Sequence, residues 1–277
     1  MTGKQKNMRP IGIFDSGVGG LTVLKALRER LPYENFVYLG DTARLPYGTK
    51  SAASILRYAR QAARHLQQRD IKLLVIACNT ASSVALSELQ SVLRPLPVVG
   101  VVQPGARAAV DARPAGRHLV LATEATVTLH AYSNAILALD RSATVHELPC
   151  ELLVSLAEEG WTTGSVAEAI VRQYLQPFVS DTSDSSPNSI ILGCTHFPIL
   201  HDTIRTVAGD ARSIVDSANT TAAAVEGLLH TAGLLREVQS GARLEFLATD
   251  GARRFARVGG AFLGADLSAD DVQLVDL

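Results

Sequence analysis

Two of the three cysteines in this chain stand in similar settings. Cys78 lies in the segment LLVIACNT and Cys194 in SIILGCTH, so each thiol follows an apolar run and precedes small polar residues. The carboxyl end of a buried strand is where open α/β sheets place their ligands. Three kinds of chemistry fit: a pair of opposed acid/base thiols, a cysteine nucleophile beside His196, or a metal site that adds His196 and an aspartate. The residues alone leave these alternatives open.

Two thiols on opposite sides of a small ligand can invert a carbon centre. One thiolate takes the Cα proton while the other thiol donates a proton to the opposite face. A free thiol with a pKa of about 8.5 is only about 3% ionised at pH 7, so the base needs a lower pKa. A helix N-terminus supplies about 1 to 2 kcal/mol of that, and we expect both cysteines to lie at one. Asp15 and His196 are the candidates to assist proton movement.

A glycine-rich turn, Asp15-Ser-Gly-Val-Gly-Gly20, follows an apolar run and precedes a helical pattern. Such a turn holds a ligand carboxylate or phosphate through its backbone N–H groups. It matches a dinucleotide fingerprint poorly, because Thr22 stands where the third glycine is needed. Asp41, after the next strand, is nevertheless a candidate ribose-binding acid, so a nicotinamide-dependent oxidoreductase is kept as a distant alternative.

Length, charge and cysteine content limit the classes of protein to which the chain can belong. The 277 residues suggest two compact units, and the net charge of −1 with 19% charged residues gives no sign of a nucleic-acid or membrane partner. Three cysteines form no disulfide framework and indicate a reducing compartment, and Cys150 fits a buried apolar filler. Neither a signal peptide nor a membrane-spanning run is evident, so we expect a cytoplasmic protein.

Short runs rich in Val, Ile and Leu alternate with segments of helical period, which is typical of parallel strands joined by crossover helices. Helices are predicted from Leu21 and, after a Ser51 cap, from Ile55. The polar run 181–189 is interpreted as a surface loop. The predicted strands are Ile11–Phe14, Phe36–Leu39, Leu73–Ala77, Val98–Val102, His118–Ala122, Thr144–Leu148, Ile190–Leu192, Ser213–Val215, Leu244–Leu247 and Val272–Val275. Ten strands exceed one ordinary sheet, so we predict an α/β fold of two similar lobes, each a mostly parallel sheet flanked by helices, with the active site in the cleft between them.

Several ordered motifs across nearly the whole chain resemble the glutamate racemase family. They are GIFDSGVGG (12–20), LGDTARLPYG (39–48), CNTA (78–81), LGCTHFP (192–198), VDS (215–217), FLATD (246–250) and AFLG (261–264). The resemblance implies a cofactor-independent enzyme, without a metal, that interconverts L- and D-glutamate and supplies the D-enantiomer for peptidoglycan. It also implies a first lobe of residues 1–98 and 212–277 and a second lobe of 99–211. Asp216 and Ser217 would then be structural residues of the first lobe, as a sheet partner of Asp15.

The resemblance carries roles to individual residues. Cys78 is expected to deprotonate D-glutamate and Cys194 to deprotonate L-glutamate, with Asp15, His196 and Glu158 as auxiliary catalytic residues and Asp41 near the site. The substrate contacts implied are Asp15, Ser16, Tyr47, Gly48, Asn79, Thr80, Thr126, Thr195 and His196.

The chain departs from the family pattern at two loops. The loop that usually reads G-T-x-G-T, and that contains the candidate contacts Thr123 and Thr126, is Ala122-Thr-Glu-Ala-Thr126. Glu151 replaces the usual proline after Cys150. The nearer alternative function is that of a racemase of the same superfamily that acts on aspartate or another amino acid. The oligomeric state is left open, with a homodimer as one candidate.

Overall fold

A computed structural model describes residues 7–180, 186–237 and 241–277. Residues 181–185 of the predicted loop lie outside these described ranges. The strands in the described part are β1 (Ile11–Asp15), β2 (Phe36–Gly40), β3 (Leu73–Ile76), β4 (Val98–Gly100), β5 (Arg117–Ala122), β6 (Thr144–Pro149), β7 (Ser189–Gly193), β8 (Ser213–Asp216), β9 (Leu244–Ala248) and β10 (Val272–Leu274). All ten predicted strands are confirmed, with ends that move by one or two residues.

Eleven α-helices connect these strands in the described ranges. They are α1 (Leu21–Arg30), α2 (Ala52–Gln68), α3 (Asn79–Val92), α4 (Val102–Ala112), α5 (Glu124–Thr128), α6 (Ala131–Leu139), α7 (Glu151–Glu158), α8 (Gly164–Val179), α9 (His201–Ala208), α10 (Ser217–Thr231) and α11 (Ala252–Leu263). The predicted Ser51 cap is confirmed, because its side chain accepts a hydrogen bond from the N–H of Ser54. The apolar stripe of α2 is buried at Ile55, Ala59, Ala62 and Leu66.

Two parallel sheets form the predicted pair of lobes. The first has the strand order β10-β9-β2-β1-β3-β4 and the second has the order β6-β5-β7-β8. Within the first sheet, the strands β2-β1-β3-β4 follow the same order as β6-β5-β7-β8 in the second sheet. The two lobes therefore share a topology. Helices cover both faces of each sheet, which explains why the central strands are apolar throughout.

Register brings the ends of neighbouring strands together in each lobe. In the first sheet Phe14 pairs with Ile76, so Asp15 and Cys78 both emerge just beyond that pair. In the second sheet Ala122 pairs with Gly193, so Thr123 and Cys194 emerge side by side. Parallel pairing therefore presents one thiol and one other polar side chain at the carboxyl edge of each sheet.

The structure adds detail to three of the predicted strands. The strand predicted for Val98–Val102 ends at Gly100, because α4 begins at Val102. Strand β6 lies at the edge of the second sheet, where each of its residues is exposed or half-buried. Strand β8 pairs with β7 in the second sheet, so Asp216 is not a sheet partner of Asp15 in the first lobe.

The chain returns to the first lobe after β8 through helix α10, which packs against α1. The Asp216 side chain caps α10 by accepting from the N–H of Asn219, which agrees with the structural role predicted for it. A hydrogen bond also joins the lobes near the site, where the Thr22 hydroxyl donates to the carbonyl of Thr195 at 3.0 Å.

Candidate active site

The carboxyl edges of the two sheets face a common cavity of about 370 Å³. Of the residues predicted for the site, the first lobe contributes Ser16, Tyr47, Gly48, Cys78, Asn79 and Thr80 to its lining. The second lobe contributes Glu158, Cys194, Thr195 and His196. Both thiols therefore line one cavity from different lobes, and Asp15 and Thr126 are the two predicted residues that do not line it.

Cys78 is the N-cap of helix α3. Its Sγ accepts a hydrogen bond from the N–H of Ala81 at 3.4 Å, as expected for a thiol at a helix N-terminus. The side chain is nevertheless buried, and burial, reinforced by the negative charge of Asp15, raises the pKa of the Cys78 thiol to about 12. The helix N-terminus was expected to lower the pKa of Cys78. In the free protein this effect is outweighed, because burial destabilises the thiolate more than the hydrogen bond from one N–H group stabilises it.

Cys194 has a different environment. The residues after it form a 3₁₀ turn, Phe197–Leu200, and helix α9 begins only at His201, so the expectation of an α-helix N-terminus here is wrong. The Sγ atom lies 3.7 Å from Nδ1 of His196 instead. A histidine therefore occupies the position beside this thiol that backbone N–H groups occupy beside Cys78.

His196 continues into a chain of polar contacts. Its Nε2 lies 3.1 Å from Oε1 of Glu158, whose other oxygen accepts a hydrogen bond from Nη2 of Arg254 at 2.7 Å. Burial by itself lowers the pKa of His196, but the hydrogen bonds to Cys194 and Glu158 outweigh it and raise that pKa to about 10. The imidazole is thus held as a cation next to the thiol.

Asp15 does not line the cavity and is fully buried. Its Oδ2 accepts from the N–H of Gly17 at 2.9 Å, whereas Oδ1 has no hydrogen-bond partner among the described residues. Burial raises the pKa of Asp15, and the charge of His196 and backbone N–H groups of the glycine-rich turn oppose that rise. This carboxyl group is therefore placed to hold or release a proton near Cys78.

Hydroxyl and amide groups line the far side of the cavity. Thr80 lies 2.9 Å from the Thr123 hydroxyl and 3.3 Å from the Thr126 hydroxyl, so Thr126 reaches the site through Thr80. Asn79 accepts from the Tyr132 hydroxyl at 2.8 Å, and its Nδ2 has no partner among the described residues. These groups can donate to a carboxylate.

Asp41 lies behind this wall. It is fully buried and accepts hydrogen bonds from the Tyr47 hydroxyl at 2.5 Å, from Arg44 at 2.9 Å and from Thr249 at 3.0 Å. Those contacts position Tyr47 and occupy the carboxylate. The acid proposed for a dinucleotide ribose is therefore already engaged within the protein.

Cys150 lies away from the cavity. It is fully buried, and its Sγ lies 3.4 Å from the carbonyl oxygen of Leu148. Burial raises the pKa of this thiol as well.

Sequence reasoning missed part of the cavity lining. Those residues are Leu45, Pro46, Thr49, Glu151, Val154, Ser155 and Arg254, whereas Thr123, which also lines the cavity, was a candidate contact together with Thr126. Three of these residues could have been identified from their spacing in the sequence. Glu151, Val154 and Ser155 precede Glu158 by seven, four and three residues, which places them on one face of α7. Arg254 has no such signal.

Two features are absent from the part of the chain that the structure describes. No group of three or more His, Cys, Asp or Glu side chains is arranged to hold a metal ion. None of the described helices has the length and apolar character needed to cross a bilayer.

Comparison with known proteins identifies the relatives of this fold and site. Residues 21–225 match the Asp/Glu/Hydantoin racemase family. The chain is 45% identical over 269 residues to the glutamate racemase of Geobacter metallireducens, covering 97% of each chain. The crystal structure of the Francisella tularensis glutamate racemase in complex with D-glutamate superimposes with a TM-score of 0.89 at 35% identity, covering 98% of each chain. A glutamate racemase isoform of Bacillus anthracis gives a TM-score of 0.90 at 34% identity, covering 97% of this chain and 98% of that one.

Proposed function

Because the chain belongs to the glutamate racemases of the Asp/Glu/hydantoin racemase family, which are isomerases, we propose that it interconverts L- and D-glutamate by proton transfer between two cysteines, without a cofactor. The observation that carries this mechanism is that Cys78 and Cys194 line one cavity from different lobes. A substrate held between them has one thiol on each face of its Cα.

The proton balance of the reaction follows from that arrangement. From L-glutamate, the Cys194 thiolate removes the Cα proton, and the electron pair of the broken C–H bond delocalises into the carboxylate. The Cys78 thiol then donates its proton to the opposite face, which yields D-glutamate with Cys194 protonated and Cys78 ionised. From D-glutamate, the same two groups act in the reverse order.

Electrostatics explain how the thiols reach their working states. Nδ1 of His196 lies 3.7 Å from Sγ of Cys194, and its Nε2 lies 3.1 Å from Glu158, so the imidazole is placed to exchange a proton with this thiol. Cys78 has a pKa of about 12 in the free protein, so it begins as an acid. The ammonium group of a bound amino acid brings a positive charge into the cavity, which lowers the pKa of Cys78 and allows it to act as a base as well. Asp15, buried beside it, assists that proton movement.

Binding of the substrate carboxylates is assigned to donors on the cavity wall. Asn79 and the hydroxyl-bearing residues Ser16, Thr80 and Thr195 line the cavity and are the candidate donors, and Thr126 orients Thr80. Tyr47 and Gly48 form part of the cavity wall, and Asp41 holds Tyr47 in place. In the cell, the D-glutamate formed would supply peptidoglycan synthesis, as the resemblance to the family implies.

The proposal is tested by incubating each enantiomer of glutamate and of aspartate with the protein and following optical rotation. We expect interconversion of glutamate and little change in aspartate; turnover of aspartate alone would overturn the substrate assignment. Run in D₂O, the early product should carry deuterium at Cα while the remaining substrate stays protiated. Heavy early labelling of the substrate would instead indicate one base that exchanges freely with solvent.

A further inference from the structure

Arg254 forms an ion pair between the lobes at the cavity. It lies in the first turn of α11, whereas its partner Glu158 is the last residue of α7 in the second lobe. The distance from Nη2 of Arg254 to Oε2 of Glu158 is 2.7 Å, and the side chains are 55% and 16% exposed. Both residues line the cavity that contains the two thiols, and both also line a smaller pocket next to it. The pair therefore forms part of the wall between this cavity and the smaller pocket.

Each of the two charges is unfavourable at its position in its own helix. A carboxylate at the C-terminal end of a helix and a guanidinium in the first turn both oppose the helix dipole. Glu158 and Arg254 are placed in this way, so local helix stability does not explain either residue. Arg254 finds its favourable partner, Glu158, in the other lobe, whereas Glu158 contacts both Arg254 and, in its own lobe, His196.

The two oxygens of Glu158 serve different partners. Oε2 receives the guanidinium, while Oε1 contacts Nε2 of His196, whose Nδ1 faces the Sγ of Cys194. Holding one oxygen prevents the carboxylate from rotating away from the imidazole. The Arg254 charge also adds to the effect of His196 in lowering the pKa of Glu158, which keeps the carboxylate ionised.

We propose that Arg254 is a positioning residue that aligns Glu158, and through it His196, on the Cys194 thiol when the lobes are closed. The inference rests on the proposed two-thiol function. Because the guanidinium and the carboxylate come from different lobes, opening of the cleft separates them and releases His196. Alignment on the Cys194 side is therefore coupled to closure around the substrate.

The test is a double-mutant cycle on the full chain. We expect Arg254→Gln to lower kcat about 10- to 100-fold, as loss of a charge-assisted hydrogen bond does. The matched control is Arg253→Gln, since Arg253 is exposed and absent from the cavity wall, and it should keep the parent kcat. In a Glu158→Gln background, Arg254→Gln should cause no further loss. Full additivity, or parent activity in Arg254→Gln, would overturn the proposal.

Isotope effects give a readout that a general loss of stability would not produce. Enantiomers have equal free energy, so kcat/KM must stay equal in the two directions for any variant. If only the Cys194 side is slowed, Cα deuteration of the enantiomer that Cys194 deprotonates should show a larger isotope effect in Arg254→Gln, and the other enantiomer a smaller one. Equal changes for both enantiomers would contradict the assignment. Should Arg254→Gln unfold, Arg254→Lys takes its place in the same measurements.

These outcomes are separable from failure of the proposed function. If the parent protein does not racemise glutamate, or if Cys78→Ala retains activity, the two-thiol mechanism itself is wrong. The proposal for Arg254 fails alone when the parent and the cysteine variants behave as expected but Arg254→Gln matches Arg253→Gln.

Discussion

Gly19 of the first lobe lies directly against His196 of the second. A β-carbon on Gly19 would stand 2.4 Å from Nδ1 of His196 and 2.5 Å from Oγ1 of Thr195, well inside van der Waals contact. The absence of a side chain at this position therefore allows the glycine-rich turn to approach the residue that contacts Cys194. We expect this closeness to matter more for activity than for folding.

Gly19→Ala should lower kcat at least about tenfold, because the added methyl displaces His196 from Cys194. The strain should also cost about 1 to 3 kcal/mol of the free energy of unfolding. Gly227→Ala in α10 is the matched control, since a β-carbon there meets nothing within 4 Å. It should keep full activity and gain about 0.5 to 1 kcal/mol of stability. Steady-state kinetics and urea unfolding measure both effects, and an active Gly19→Ala variant would contradict the expectation.

The three cysteines should separate by function. Cys78→Ala and Cys194→Ala each remove an acid/base group and should lower kcat by about 10² to 10⁴ or more. Cys150→Ala should retain activity within about twofold but lose about 1 kcal/mol of stability, because it leaves a small void in the core. Comparing racemisation rates with denaturation midpoints distinguishes the two outcomes. Loss of activity in a well-folded Cys150→Ala protein would show that the third thiol is not a spectator.

The carboxylate of Asp15 should control the ionisation of Cys78. Burial is the largest cause that raises the pKa of this thiol to about 12, and the negative charge of Asp15 adds to it. Asp15→Asn removes that charge, so the thiolate should form at lower pH. In a Cys150→Ala, Cys194→Ala background, Cys78 should then react faster with iodoacetamide at each mildly alkaline pH. An unchanged or slower reaction would show that Asp15 does not act on the thiol.

His118 should make the second lobe sensitive to acid. The ring is fully buried, and within the described residues neither ring nitrogen has a hydrogen-bond partner. Burial lowers the pKa of His118 below the value of about 6.5 expected in the unfolded chain, and Asp140 opposes this only in part. The unfolded chain therefore binds the proton more readily, so stability is complete above about pH 6.5 and is lost as the pH falls below that.

The measurement is the denaturation midpoint at about pH 7.5 and about pH 5.5. His118→Leu should show a smaller loss of stability between the two than the parent protein. His230→Gln, at an exposed position in α10, is the control and should behave like the parent. Parallel losses in the parent and in His118→Leu would assign the acid sensitivity to other groups.

Apolar runs and helical periodicity were sufficient to predict the strands and the crossover helices, because burial on both faces leaves a pattern in the residues themselves. An apolar run does not show which other strand it pairs with in the sheet. Strand β8 was therefore predicted correctly as a strand and assigned to the wrong sheet, since pairing with β7 depends on residues more than twenty positions earlier.

Some residues of the cavity could likewise be identified from the sequence, and others could not. Cys78 and Cys194 were found because each follows a strand within a short motif, which is local information. Arg254 was missed because its partner Glu158 lies 96 residues earlier in the chain, and no spacing within either helix indicates the contact.

By itself, then, the sequence determined the elements, the two lobes and the two thiols at the ends of their strands. Only the tertiary structure decided that Gly19 touches His196, that Glu158 is shared between a histidine and an arginine of the other lobe, and that burial holds Cys78 as an acid. The reason is physical: hydrophobic pattern and motif are properties of neighbouring residues, whereas close approach, desolvation and charge pairing arise between segments that meet only when the two sheets pack.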